Sequence, residues 1–204
     1  MIPKKIIAFG SSSVNGRGDL INGGFARLLR AWHEQKDSKN LFYNLGVAGD
    51  TTTGMLKRFL PEAAYRKPDL TILYTGINDA SRVGGEEGSC LIEVDRYRKN
   101  IFDLVYQAKC LGDVIFTSAF PLDEDQVQPW QNTQYYYYKK DVDLYVDVAR
   151  EVCLEHSVDY LPIYEDWQNR FSPKDISADG LHANTMAHEM LFRDLKDMIT
   201  SKYK

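Results

Sequence analysis

The sequence has 204 residues, 44% hydrophobic and 26% charged, ordinary proportions that argue against disorder and set a single folded domain over residues 1–204 as the expectation. Its formal net charge is −4, without the basic excess of proteins that neutralise phosphates, so nucleic acid is not an expected partner. No apolar run approaches the ~18 residues of a membrane span, and residues 6–9 after Lys4 and Lys5 fall short of a secretory signal, so a cytoplasmic location is expected.

Residues 4–11 (KKIIAFGS) read as a buried strand. Phe25, Leu28, Leu29 and Trp32 then recur at i, i+3, i+4 and i+7, one face of a helix. Residues 41–46 (LFYNLG) make a second strand, and Leu56, Phe59, Leu60 and Ala63 a second helix, with Thr51–Thr53 as candidate caps. Residues 69–76 (DLTILYTG) make a third strand, followed by a helical pattern at Val94, Tyr97, Ile101, Leu104, Val105 and Ala108. Residues 113–119 (DVIFTSA) make a fourth strand, and Val142, Tyr145, Ala149, Val152 and Cys153 the next helix. A short strand at 158–162 and a last helix through Met190, Leu191, Leu195 and Met198 close the pattern. Strands alternating with helices predict an α/β fold of three α/β/α layers around a five-stranded, mostly parallel sheet. Cys90, Cys110 and Cys153 are odd in number and widely spaced, so reduced thiols are expected, with neither a disulfide framework nor a zinc site.

Parallel sheets bind ligands beyond the carboxyl ends of their strands. After the first strand stands GSSSVNGRG, a polar turn that also offers hydroxyl nucleophiles; neither a P-loop nor G-x-G-x-x-G fits it. After the second comes NLGVAGDTTTG, where Gly46 and Gly49 let backbone N–H groups approach a ligand. After the third comes TGINDAS, in which Asn78 and Asp79 suit an Asx-turn or a polar reach across the sheet edge. Before the last helix, Asp179 and His182 are three apart; such a carboxylate can hold one imidazole nitrogen and leave the other as a base. His182 and His188 lie six apart, which fails H-E-x-x-H, so no metal is expected.

Taken together, FGSSSVNGRG, NLGVAGDT, TGIND and DGLHAN resemble the conserved blocks of the SGNH (GDSL-type) hydrolases, over residues 9–184. The resemblance implies a flavodoxin-like architecture and a serine hydrolase that cleaves carboxylic esters through an acyl-enzyme, without a cofactor. It implies Ser12 as nucleophile, His182 as base and Asp179 as the carboxylate behind it. It also implies an oxyanion hole of the Ser12 and Gly49 N–H groups and the Asn78 side-chain amide. The partner would be a small-molecule ester: a small acyl ester, an acetylated sugar, a lysophospholipid or a thioester. The G-x-S-x-G elbow of the α/β-hydrolases is absent. Three positions depart from the family pattern: Ser11 stands where Asp is usual, and Ala183 and Ala187 where Pro and Gly are common.

Two loops are expected to rim the site. Residues 81–92, with three glycines, suggest a mobile lid, and Arg82 there is expected to be solvated. Residues 121–134 carry Trp130, open to stacking on a ligand or packing against Tyr135–Tyr138, and Asp123–Asp125, read as a polar turn. Asp143, Asp147, Glu151 and Glu155 predict a solvated acidic helix face, partly relieved by Lys139 and Arg150. Two alternatives remain: a catalytically weak SGNH-like binding module, suggested by Ser11, and a flavodoxin-like nucleotide or flavin binder, which leaves the Asp-x-x-His unexplained.

Overall fold

The computed structural model describes residues 2–204. Its strands are β1 (Lys5–Gly10), β2 (Leu41–Gly46), β3 (Leu70–Tyr74), β4 (Arg82–Val83), β5 (Asp113–Thr117), β6 (Tyr135–Tyr136) and β7 (Asp159–Leu161). Its helices are α1 (Ser12–Asn15), α2 (Phe25–Glu34), α3 (Thr52–Arg66), α4 (Val94–Lys109), α5 (Lys139–Glu155), α6 (Ile163–Gln168), α7 (Pro173–Ile176) and α8 (Thr185–Lys202).

β3 is buried throughout and β1 from Ile6 onward, which is why both read as largely apolar runs, Thr71 of β3 excepted. Five strands form one parallel sheet in the order β2-β1-β3-β5-β7, the flavodoxin-like order. Side chains alternate between its faces. Ile7, Phe9, Leu73 and Phe116 pack with residues of α3, α4 and α5, among them Phe59, Ile101 and Val142. Ile6, Ala8, Ile72 and Ile115 pack with residues of α2 and α8, among them Leu29, Leu191 and Leu195. Burying each large apolar side chain contributes ~1.5–3 kcal/mol.

The chain leaves β1 toward β2 on one side and returns to β3 on the other, opening a crevice at the strand ends. Gly10 pairs in register with both Gly46 and Tyr74, so these strands end level. The segments that follow them carry Ser12, Gly49 and Asn78.

Strand ends differ from the apolar runs by one or two residues, where the chain leaves the ladder. α1, α6 and α7 were not anticipated, because four to six residues are too few to display a helical period. β4 and β6 also escape notice; they pair Arg82 with Tyr136 and Val83 with Tyr135, so the tyrosine run begins as a strand. This pairing fastens the segment expected to be a mobile lid. Arg82 is not solvated: its guanidinium donates to both Asp141 oxygens (2.6 and 2.8 Å) and to the carbonyls of Glu86 (2.6 Å) and Gly88 (3.1 Å). No helix among the described residues is long and apolar enough to cross a membrane.

Candidate active site

β1 runs directly into the single turn of α1. The Asn15 N–H donates to the Ser11 carbonyl (3.1 Å) and the Arg17 N–H to that of Ser12 (3.0 Å), which fixes the Ser12 side chain at the mouth of the crevice. Ser12 is only 5% exposed.

The segment between α7 and α8 folds around Asp179. Its Oδ1 accepts the N–H groups of Leu181 (3.1 Å) and His182 (2.8 Å). Asn184 then caps α8 by accepting from the Ala187 N–H at 3.0 Å. The His182 ring stands between two partners. Its Nδ1 is 2.9 Å from Asp179 Oδ2, and its Nε2 is 2.9 Å from Ser12 Oγ. A carboxylate facing Nδ1 keeps the ring hydrogen there, so Nε2 is the acceptor presented to the Ser12 O–H. Burial would raise the Asp179 carboxyl, but the hydrogen bonds from the His182 ring and from the His182 and Leu181 amides outweigh it and hold it at about 2. Gln131 adds a fourth partner, its Nε2 donating to Asp179 Oδ2 at 3.2 Å.

Across the crevice, the Asn78 amide donates one hydrogen to the Asp50 carbonyl at 2.9 Å and has a second to offer. The Asn78 carbonyl in turn accepts from Ser81 Oγ at 2.8 Å. Gly49 adopts φ +77°, a left-handed conformation that a side chain would strain, and neither its N–H nor that of Ser12 bonds to a described residue. Ser12, Gly49, Asn78 and His182 line one cavity of about 270 Å³, completed by aromatic and apolar walls. A wider cleft of about 540 Å³ opens at the opposite end of the sheet, where Lys202 faces Asp159 (2.7 Å) and Asp113 (3.8 Å). It holds neither histidine nor any of the site residues above, and it is not the catalytic candidate.

The GDSL-like Lipase/Acylhydrolase family model matches residues 8–190. The chain belongs to this family. It is an ester-hydrolysing enzyme. A lipase/acylhydrolase from Enterococcus faecalis is 25% identical, with 98% of this chain and 97% of that one superposed at a TM-score of 0.79. LAE5, an α/β hydrolase enzyme from the Lake Arreo metagenome, shares 18% identity over 97% and 95% of the two chains at a TM-score of 0.73. Axe2, an acetylxylan esterase from Geobacillus stearothermophilus, shares 17% over 96% and 94% at 0.72. No curated protein matches the sequence.

Of the enzyme's three consecutive serines, only Ser12 reaches the imidazole. The Ser11 hydroxyl is buried without a partner, and Ser13 approaches the Tyr74 hydroxyl. Where the family commonly has Asp, the enzyme therefore fixes this turn through backbone bonds and through Asn44, which donates to the Val14 carbonyl at 2.8 Å. Ala183 and Ala187 are fully packed, consistent with small residues serving there.

Sequence reasoning missed two supports. Arg58 lies 4.0 Å over the Phe9 ring and donates to the Asp50 carboxylate (2.6 Å) and to the Leu45 and Gly10 carbonyls (both 2.9 Å). It thereby ties the ends of β1 and β2 to the residue that holds Asn78. Asp79 is fully buried and accepts from the Thr52 N–H (3.0 Å) and hydroxyl (2.5 Å), so it caps α3, whereas Thr51 makes no side-chain cap. Burial pushes the Asp79 carboxyl up to about 7 against those hydrogen bonds. Arg58, inside α3, has no local sequence signal, and Asp79 showed only as a polar residue beyond the end of β3.

His188 is a core histidine. Its Nδ1 accepts from the Phe25 N–H (3.2 Å) and its Nε2 donates to the Arg17 carbonyl (3.1 Å), leaving no nitrogen for a metal. On α5, Lys139 and Arg150 pair with Asp143 and Asp147, and Arg98 of α4 pairs with Glu151 and Glu155. The acidic face is thus relieved by a neighbouring helix as well as by its own cations.

Proposed function

We propose that the enzyme hydrolyses short carboxylic esters through an acyl-enzyme on Ser12. The Ser12 oxygen attacks the ester carbonyl carbon while His182 Nε2 takes its proton, and Asp179 stabilises the imidazolium. The developing oxyanion accepts from the Ser12 and Gly49 N–H groups and from the second hydrogen of the Asn78 amide. As the C–O bond breaks, His182 returns the proton to the departing alkoxide and the alcohol leaves. Water then attacks the acyl carbon, giving its proton to His182. The second tetrahedral intermediate collapses, the acid leaves and Ser12 recovers its proton. No cofactor takes part in any step.

The observation that carries this reading is the continuous Asp179–His182–Ser12 hydrogen-bond chain opening on a cavity that Gly49 and Asn78 also line. The volume of about 270 Å³ suits a short acyl group, with Leu91, Trp130, Tyr135 and Tyr137 enclosing it. The test is p-nitrophenyl acetate turnover with fluorophosphonate labelling mapped by mass spectrometry. Ser12→Ala is expected to lose activity by at least ~10³-fold and to lose the label. A label on Ser11 or Ser13, or an active Ser12→Ala enzyme, overturns the assignment.

A further inference from the structure

Among the described residues, Arg17 is the only arginine or lysine on the cavity wall, and no aspartate or glutamate lines that wall beside it. Other arginines near the sheet edge are engaged: Arg58 by Asp50, and Arg82 by Asp141. Arg17 forms no ion pair with a described residue. An unpaired guanidinium at a cavity mouth stands out in a chain of net charge −4.

Its position is nonetheless held firmly. The Arg17 N–H donates to the Ser12 carbonyl at 3.0 Å, and its own carbonyl accepts from the buried His188 Nε2 at 3.1 Å. The next residue, Gly18, has φ +94° and packs so tightly that a Cβ would stand 2.1 Å from the Ala183 carbonyl oxygen. The loop is thereby pressed against the segment that carries His182. The guanidinium lies over the Trp130 ring, 5.3 Å from its centroid, and that indole meets the His182 ring edge-on at 5.6 Å. This cation–π contact uses none of the guanidinium N–H donors, which make no hydrogen bond to a described residue and remain for a ligand.

We propose that Arg17 is a specificity-determining residue that selects esters bearing an anionic group, a carboxylate or a phosphate, close to the scissile bond. Both groups present the oxygen pair that a guanidinium fork grips. This inference rests on the reading of Ser12 as the nucleophile. The anion would sit against Trp130, whose ring also meets the His182 ring.

The test compares kcat/KM for two matched pairs. One is 4-nitrophenyl hydrogen glutarate against 4-nitrophenyl hexanoate, with the carboxylate on the acyl side. The other is acetylglycerol phosphate against glycerol monoacetate, with the phosphate on the alcohol side. The pair in which selectivity depends on Arg17 identifies the anion. In that pair the anionic-to-neutral ratio is expected to fall about tenfold in Arg17→Ala and to invert in Arg17→Glu. Arg17→Lys, which keeps the charge and loses the fork, is expected to retain part of the ratio, and high salt to compress it. A merely structural brace for Trp130 would not invert with charge. Ratios unchanged in Arg17→Ala and Arg17→Glu for both pairs, with Ser12 still labelled by fluorophosphonate, overturn the proposal and leave the esterase reading intact. A folded wild-type enzyme that neither turns over any of the four esters nor takes the label refutes the parent reading, and the Arg17 proposal with it.

Discussion

Asn78→Ala separates oxyanion stabilisation from scaffolding. Removing one side-chain donor from an oxyanion hole costs on the order of 10²–10³ in kcat, or ~2.7–4 kcal/mol of transition-state stabilisation. The substitution also deletes the 2.9 Å bond from the Asn78 amide to the Asp50 carbonyl. One such bond contributes ~0.5–1.5 kcal/mol to stability, and ~1 kcal/mol lowers Tm by roughly 2–4 °C in a domain of this size. The backbone at 78 keeps the bond from Ser81 Oγ, and Asp79 still caps α3 through Thr52, so the loop retains its main anchors. The ester carbonyl in the ground state is a weaker acceptor than the oxyanion, so KM should change by no more than about threefold. Initial rates across a p-nitrophenyl acetate series, with a melting curve on the same sample, read all three quantities. A kcat within about threefold of the wild type would refute the proposed role.

Other outcomes follow from the charged groups around the site. The carboxyl of Asp179 lies below its unfolded value, so its stabilisation is present above about pH 4 and is lost as pH falls toward about 2. Denaturant titrations should therefore show the wild type losing more stability than Asp179→Asn over that acid window; parallel curves would contradict the coupling to His182. Asp79 has the opposite sign. Its folded carboxyl is raised to about 7, so its contribution is fully present below the unfolded value near 4 and falls away as pH rises through 7. Asp79→Asn should thus gain in Tm relative to the wild type between pH 4 and pH 8, and a constant difference would show that Asp79 is ionised throughout. Arg82→Ala leaves the largely buried Asp141 carboxylate without its bidentate partner, an expected loss of roughly 2–3 kcal/mol after allowing for partial exposure. Proteolysis should then cut within 81–92 before the rest of the chain, and an unchanged cleavage map would show that β4–β6 pairing alone holds the segment.

Much of the fold was legible because burial on both faces leaves its mark on short stretches. β1, β3 and β5 are apolar runs for that reason, and α4 shows its buried face at Tyr97, Ile101, Leu104 and Ala108. The candidate site was legible because Ser12, Gly49 and Asn78 each follow a strand of the parallel sheet, and because Asp179 and His182, just before α8, are close enough in sequence to be read as a pair. What escaped notice was long-range and polar. Arg82 and Asp141 lie 59 residues apart, Asp79 and Thr52 27 apart, and Arg98 and Glu151 sit on different helices. Such pairs have no period, and each charged member alone looks like an ordinary surface charge. The one-turn α1 and the two-residue β4 and β6 are set by tertiary contacts that no local window contains.

The account turns on a covalent intermediate at one oxygen. Mixing the enzyme with p-nitrophenyl acetate, quenching in acid within milliseconds and mapping peptides by mass spectrometry tests it most directly. The predicted result is one acetyl group on the Ser12 side chain, formed in step with a burst of p-nitrophenol and absent in His182→Ala. Turnover without any acylated peptide, or acetyl on Ser11 or Ser13 alone, would contradict the account.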